Sequence, residues 1–339
     1  MDALELDTPA LYVDLDVLER NVKRMQQQCR AWGVALRPHV KTHKIAEIAQ
    51  MQLDAGAIGI TVAKVGEAEV LPGDDVLVAY PLLKAKLPRL RKLAKTRALK
   101  VAVDSVEVAR DLQGIDTLIE IDVGVGRTGA QSPEQAVEIA QACSDFNFRG
   151  IFYWPSWLDE AGFRAACAKI DAVLAALAAS GFEAKVVSGG STPGAAKTPL
   201  IPRTTEIRPG SYVFYDASSL AAKLCVEADC ALRVLTTVVS TAVPGQCVID
   251  AGSKTFSSDQ TVGAGTFGHF IGRGHAWTMR KLNEEHGYVE IDGPVRVGDK
   301  VWVVPSHCCA TVNLHDEIWY DRRGRVEGSW QVAARGKVR

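Results

Sequence analysis

The chain is 339 residues long, with 47% apolar and 23% charged side chains and a formal net charge of −1 from 39 basic and 40 acidic groups. That composition excludes a disordered polymer, and the charge balance lacks the basic excess that nucleic-acid or membrane-surface binding leaves. No apolar run approaches the roughly 18 residues that span a bilayer, and eight cysteines without a CxxC are too few for a disulfide scaffold. The N-terminus, MDALELDTPA, has no basic stretch ahead of an apolar one, so a reduced, cytoplasmic location is expected.

Taken in chain order, the first element is a strand in which Leu11, Val13 and Leu15 alternate with their neighbours. Leu18, Val22, Met25 and Cys29 then fall at helical spacing, so a lead-in strand and helix are predicted. Eight short apolar runs follow, at 34–41, 58–64, 76–82, 99–105, 117–124, 150–154, 184–190 and 205–214. Helical patterns lie between most of them, at 44–55, 65–70, 84–95, 106–112, 133–143 and 159–179. Strands alternating with helices argue for a parallel sheet, and eight of them match a (β/α)8 TIM-type barrel. An open doubly wound sheet is the rival, but it would usually show GxGxxG after its first strand and none is there.

After about residue 218 the texture changes. Segments such as CALRVLTTVVSTAVPGQCVIDAG and YVEIDGPVRVGDKVWVVPSH are rich in Val, Thr, Trp and Ile and punctuated by PG, DG and GD turns. They read as an antiparallel β-domain. The expected organisation is therefore α/β: a barrel with its lead-in over 1–220 and a C-terminal β-domain over 221–339.

Chemistry in a barrel gathers at the C-terminal ends of the strands, and the unusual residues collect there. Lys41 ends the first run; in a barrel mouth it would lose hydration and become a usable amine nucleophile, although a surface lysine is the alternative. Tyr153 ends the sixth run and is a candidate cofactor contact. SGGSTP, with Ser188, Gly190, Ser191 and Thr192, offers consecutive backbone N–H groups and hydroxyls to a phosphate, or is simply a tight loop. Gly210, Ser211 and Tyr212 in RPGSY could add further N–H groups, with Arg208 beside them. DVGVGRTG presents Arg127, a rigid cation suited to a phenolate-like oxygen or a surface residue of a structural turn. In PSHCC, His307 and Cys309 are two apart, so on a strand they share a face; imidazole with thiolate is a metal pair short of a full shell. Cys308 would face the other way. LNEEHG reads as a polar turn.

These motifs, in this order, resemble the D-threonine aldolase and D-serine dehydratase group of fold-type III pyridoxal-phosphate (PLP) enzymes, relatives of alanine racemase. The segments that carry the likeness are TPALYVDLDVLERNV, RPHVKTHK, IDVGVGRTG, SGGSTP, TEIRPGSYVFYD, IDAGSKTFSSD, EEHG and VPSHCCATVNLHD, which span most of the chain. The resemblance implies that Lys41 holds PLP covalently, that SGGSTP and Gly210–Tyr212 hold its phosphate, and that Arg127 sits near its phenolic oxygen. It matches Arg208 to the arginine that meets the pyridine nitrogen in alanine racemase. It also implies that His307 and Cys309 hold a divalent metal, with zinc expected and manganese or magnesium as alternatives, against the substrate β-hydroxyl.

One departure bears on the reaction. Many relatives follow the sixth strand with Gly-His, where this chain has Ser156–Trp157, and Trp154 and Trp157 would narrow the pocket. A histidine there is a candidate acid/base group for carbon–carbon cleavage. Its loss, with a thiolate at Cys309, favours a D-serine dehydratase-like lyase that releases a 2-oxo acid and ammonia. Retro-aldol cleavage to glycine and an aldehyde is the alternative. A racemase would leave the metal pair without a task, and a PLP carrier would not need the β-domain. A small amino-acid substrate and a homodimer are expected as partners.

Overall fold

The structure, a computed structural model, describes residues 2–143, 147–155, 159–273 and 276–339. Contacts group the chain into two units. One comprises Met1–Arg24, Thr42–Glu47 and Ser211–Gly336; the other comprises Met25–Lys41, Ile48–Gly210 and Lys337–Arg339. Among the described residues no helix is long and apolar enough to cross a membrane.

The chain opens with β1 (Ala10–Asp14) and α1 (Leu15–Trp32). Leu18, Val22, Met25 and Cys29 are all buried, as their spacing predicts. Eight parallel strands then form the second unit: β2 (Ala35–Leu36), β3 (Ile60–Val62), β4 (Asp75–Val78), β5 (Ala98–Val103), β6 (Asp116–Ile121), β7 (Phe148–Tyr153), β8 (Val186–Gly189) and β9 (Glu206–Ile207). They pair in the order β2-β9-β8-β7-β6-β5-β4-β3. The two ends of that order meet. Ile58 N–H donates to the Leu36 carbonyl, Thr61 N–H donates to the Pro38 carbonyl, and His39 bridges Thr61 in parallel sense. The sheet therefore closes into the expected barrel, with all eight predicted strands present and most of them shorter than their apolar runs.

Six helices follow the strands: α2 (Ala46–Asp54), α3 (Val65–Ala68), α4 (Leu87–Leu93), α5 (Val106–Asp111), α6 (Pro133–Ala142) and α7 (Glu160–Ala179). Local chemistry starts several of them. Ser105 caps α5 at Val108 N–H, Ser132 caps α6 ahead of Pro133, and Asp159 caps α7 at Gly162 N–H.

The barrel buries both an apolar cluster and a charged one. Leu77, Ala102, Leu118 and Phe152 form one buried cluster. Beside it lie Arg37, Glu206, Ser188 and Arg208, each at most 3% exposed. Their room depends on Gly59 (φ +155): a Cβ there would lie 2.3 Å from the Asp75 carbonyl oxygen and 2.5 Å from Arg37 Nη1.

The first unit is an antiparallel β structure with three short helices. Its strands are β10 (Leu232–Ser240), β11 (Gln246–Ile249), β12 (His269–Phe270), β13 (Trp277–Leu282), β14 (Gly287–Ile291), β15 (Lys300–Val304), β16 (Glu317–Arg322) and β17 (Arg325–Gln331). The helices are α8 (Ala217–Ala221), α9 (Ser253–Phe256) and α10 (Cys308–Val312). β10 is the hub: it pairs with β1, β11 and β15. This corrects the expected placement of the lead-in. β1 runs antiparallel to β10 and parallel to β16, so its strand completes the β-domain rather than the barrel. The cause is visible in the side chains. Ala10 and Tyr12 bury with Leu235 against Trp302 and Trp319, an aromatic core that only the Trp-rich half of the chain provides.

Candidate active site

The barrel holds a cavity of about 330 Å³ whose lining includes Lys41, Arg127, Trp154, Gly190 and Arg208. His39, Tyr80, Glu120 and Phe152 complete much of its wall. Four residues picked from sequence as cofactor contacts, Lys41, Arg127, Gly190 and Arg208, are thus brought together at one mouth.

Lys41 sits in a single helical turn, Val40–Thr42, just past β2. Its side chain is exposed in the protein and faces this cavity, so protein atoms do not strip its water as the sequence reading expects. Arg208 is different. Its Nη1 donates to Ser188 Oγ at 2.6 Å and its Nη2 to the Tyr153 carbonyl at 2.8 Å. Its guanidinium also lies 3.8 Å from the centre of the Phe152 ring. Burial lowers its pKa to about 10, so it remains a cation at neutral pH.

Arg127 is held loosely by comparison. Its Nη2 is 3.8 Å from Glu120 Oε1, its guanidinium is 5.0 Å from the Trp154 ring centre, and 56% of its side chain is exposed. The loop that carries it is not itself an anion cradle. Its N–H groups at Gly124, Val125 and Gly126 already donate to the Asp122 carboxylate, at 2.8 to 3.1 Å for Oδ1. Burial pushes that carboxyl up, but these donors and Gln131 outweigh it and hold it below its usual range. The glycines of DVGVGRTG therefore serve to wrap Asp122 and to present Arg127.

The SGGSTP segment divides. Gly190 (φ +95) lines the cavity, in a backbone conformation that favours glycine. Ser191 and Thr192 are buried beside it. Ser191 Oγ accepts from Gly194 N–H at 3.1 Å, and Thr192 Oγ1 accepts from Gly210 N–H at 3.2 Å. Ser188 points into the charged interior: its Oγ accepts from Arg208 and donates to Glu206 Oε1 at 2.6 Å. Ser211 and Tyr212 lie in a single helical turn, Ser211–Val213, grouped with the other unit, and Tyr212 is buried.

Tyr153 does not join the cavity wall, which corrects its expected role. Strand alternation sends Phe152 and Trp154 to the cavity and Tyr153 the other way, against Gly189. There its hydroxyl meets Thr204 Oγ1 at 2.7 Å, and burial pushes its pKa up to about 12. Ser156 and Trp157, the expected departure from Gly-His, lie outside the described residues.

In the β-domain, His307 and Cys309 do not lie on a strand as the spacing suggests. His307 is the residue before α10, and Cys309 is in its first turn. His307 Nδ1 meets Asp259 Oδ2 at 2.6 Å, which leaves Nε2 free of that contact. The hydrogen bond to Cys309 raises the imidazole pKa to about 9. The Cys309 thiol is pulled well below its usual range by Cys308, and then by His307 and Thr42, against the effect of burial. Cys308 is fully buried, and its N–H donates to Asp216 Oδ2, a structural role. Among the described residues no group of three or more His, Cys, Asp or Glu forms a metal cluster. The donor set nonetheless fits a metal held by two side chains. A thiolate and an imidazole oriented by a carboxylate are the arrangement such ions use, with water or substrate filling the remaining positions. LNEEHG is an exposed turn between β13 and β14, with Glu285 paired to Lys254 at 2.8 Å.

Sequence reasoning missed several residues. Glu120 left a signal, a carboxylate between Ile119 and Ile121 in an apolar run; it is buried, its pKa is raised by burial, and it accepts from Thr128 Oγ1 at 2.8 Å. Tyr80 lies in the 76–82 run and Asp259 closes the segment IDAGSKTFSSD, but neither stands out in the sequence, because the role of each depends on which side chain the fold sets beside it.

The comparisons with known proteins agree with this fold. Residues 13–218 match the family model of the alanine racemase N-terminal domain, and residues 231–320 match the "Putative serine dehydratase domain". The chain is 36% identical to 3-hydroxy-D-aspartate aldolase of Paracoccus denitrificans, over 99% of this chain and 94% of that one. It is 34% identical to D-threo-3-hydroxyaspartate dehydratase of a Delftia species, over 91% of this chain and 92% of that one. The crystal structure of D-threonine aldolase from Filomicrobium marinum superposes with a TM-score of 0.90 at 30% identity, covering 100% of this chain and 98% of that one. An eight-stranded parallel barrel with a lysine and two arginines at its mouth, an antiparallel β-domain with a His–Cys pair, and two family models in that order place this chain in the D-threonine aldolase and D-serine dehydratase family, on the alanine racemase-like fold.

Proposed function

We propose that the chain is a PLP- and divalent-metal-dependent lyase acting on D-configured β-hydroxy-α-amino acids, releasing a 2-oxo acid and ammonia as a D-serine dehydratase does. The observation that carries this reading is Lys41 in one cavity with Arg127, Gly190 and the buried Arg208. PLP, when bound there, supplies an electron sink for charge at the substrate α-carbon. A divalent metal, with zinc favoured by the thiolate, would be held by His307 and Cys309 and would act as a Lewis acid on the β-hydroxyl.

The chain's own residues do the rest. The Lys41 amine would hold the cofactor, and its Nζ is placed at the same cavity to take the substrate α-proton. Gly190 and its neighbours would hold the phosphate. Arg208 donates N–H groups from a fixed, dry position, and Arg127 offers a second cation from the opposite loop. Trp154 and Tyr80 keep the cavity small and favour compact side chains.

The experiment is a product assay on D-serine, D-threonine and D-3-hydroxyaspartate, with and without chelator. Keto acid and ammonia that disappear with chelator are expected. Glycine and an aldehyde would instead support cleavage, a second reading favoured by the 36% identity to an aldolase. Lys41→Ala is expected to abolish turnover and the absorbance of bound PLP near the visible edge. An unchanged spectrum would overturn the assignment of Lys41.

A further inference from the structure

Among the described residues Arg208 is a buried cation with no direct carboxylate partner, although a carboxylate lies two residues away. Glu206 is 3% exposed and faces the same interior. It is already committed elsewhere: Arg37 Nε donates to both of its oxygens at 3.0 Å. Arg37 in turn donates to Asp75 Oδ1 at 2.7 Å, and Lys100 Nζ donates to the same carboxylate at 2.8 and 2.9 Å. Charges thus alternate along the barrel interior from Lys100 through Asp75, Arg37 and Glu206.

Between that string and Arg208 stands one hydroxyl. Ser188 Oγ accepts from Arg208 Nη1 and donates to Glu206 Oε1, both at 2.6 Å, and the residue is fully buried. A hydroxyl has one proton to give and lone pairs to receive. With its proton on Glu206 it can only accept from Arg208, so the direction of this link is fixed. A direct ion pair would spend the guanidinium's charge on Glu206. The interposed oxygen pins it while leaving that charge to act on the cavity.

We infer that Ser188 is a positioning residue: its hydroxyl holds the Arg208 guanidinium at the cavity wall and separates it from Glu206, so that Arg208 meets the bound cofactor as an oriented cation outside any direct ion pair. This rests on the reading of the barrel cavity as the PLP pocket. The small residue at this place in SGGSTP is therefore not part of the phosphate turn but the hinge between the charged string and the ligand.

The test is titration of the metal-loaded apoprotein with PLP, followed by absorbance across pH, for the wild type, Ser188→Ala, Ser188→Thr and Ser188→Cys. Loss of a hydrogen bond to a charged group predicts roughly tenfold or greater weakening of PLP binding in Ser188→Ala. A displaced pH midpoint of the bound-PLP spectrum is also expected. Ser188→Thr, which keeps the hydroxyl, should restore both. Ser188→Cys, nearly the same size but a weak donor, should resemble the alanine variant, and it carries the test if Ser188→Ala does not fold. Wild-type affinity and spectrum in the alanine or cysteine variant would overturn the role of Ser188, as would equal losses in threonine and alanine. Wild-type protein that takes up no PLP would overturn the reading of the cavity itself.

Discussion

The two places where chemistry collects are built in opposite ways. In the barrel, Arg208 is fixed by a hydroxyl, a carbonyl and an aromatic face, and its neighbours are themselves fixed by ion pairs. In the β-domain, His307 is aimed by a single carboxylate, and both partners are about half exposed, at 48% and 47%. The first site holds its shape from protein atoms alone, because each buried polar group must be satisfied and satisfaction propagates. The second is a two-donor pair, and the metal proposed for it, with water or substrate, would have to complete it. Removing one group should therefore damage fold and pocket together in the barrel, and metal affinity alone in the β-domain.

The largest effect separates the two directly. Glu206→Gln leaves buried Arg37 with a neutral partner on one side, while Asp75 still holds the other. Breaking a buried ion pair from one side costs about 3–5 kcal/mol, and the surviving partner puts this case near about 3 kcal/mol. Thermal or urea unfolding of the apoprotein checks it. A loss below roughly 1 kcal/mol would mean that the string is not the rigid frame described.

Next in size is Asp259→Asn. Outer-shell carboxylates on metal-binding histidines are worth about 10–100-fold in metal affinity. Competition with a coloured chelator should show that loss for zinc, with the unfolding midpoint of the metal-free protein unchanged. A large drop in stability with metal affinity intact would reverse the contrast between the two regions.

Much of this was legible in the residues. Short apolar runs located all eight barrel strands and helical patterns the helices between them, since parallel strands buried on both faces must read as apolar runs. Lys41, Arg127, Gly190 and Arg208 stood out because they gather at strand ends, but position alone left a surface lysine, a structural turn and a tight loop as alternatives, and only the family resemblance of their motifs gave them roles. Two kinds of information were not legible. Which face Tyr153 takes depends on where β7 ends, to within one residue, and a single shift exchanges inside for outside. The placement of β1 in the other sheet depends on a partner strand more than 200 residues away, Leu232–Ser240, which no local pattern encodes. Likewise His307 and Cys309 were read on a strand, but the chain turns into α10 there and brings the two side chains together by another route.

A third prediction uses acid. Asp122 has its carboxyl held below the usual range by the loop N–H groups at Gly124, Val125 and Gly126. A carboxyl depressed in the folded state lends stability that is present above its unfolded pKa, near 3.8, and is lost as pH falls through the depressed value. Acid below that point should therefore loosen the Arg127 loop. Asp122→Asn should cost on the order of 1–2 kcal/mol at neutral pH and flatten this acid dependence. An acid limb identical in both proteins would assign the loop's order to something other than Asp122.

The smallest effect concerns Arg127, which lies in the barrel yet is held as loosely as the β-domain pair. Its contacts are Glu120 at 3.8 Å and the Trp154 ring at 5.0 Å. An exposed cation–aromatic contact is worth about 0.5–1 kcal/mol, so Trp154→Ala should weaken PLP binding by only about two- to fivefold, and Trp154→Phe by less. Bulkier D-β-hydroxy amino acids should gain in turnover from the same substitution, because the ring also occupies cavity wall. If Trp154→Ala instead costs as much as Ser188→Ala, Arg127 is fixed as firmly as Arg208, and the distinction between a rigid cation and an adaptable one within the same cavity fails.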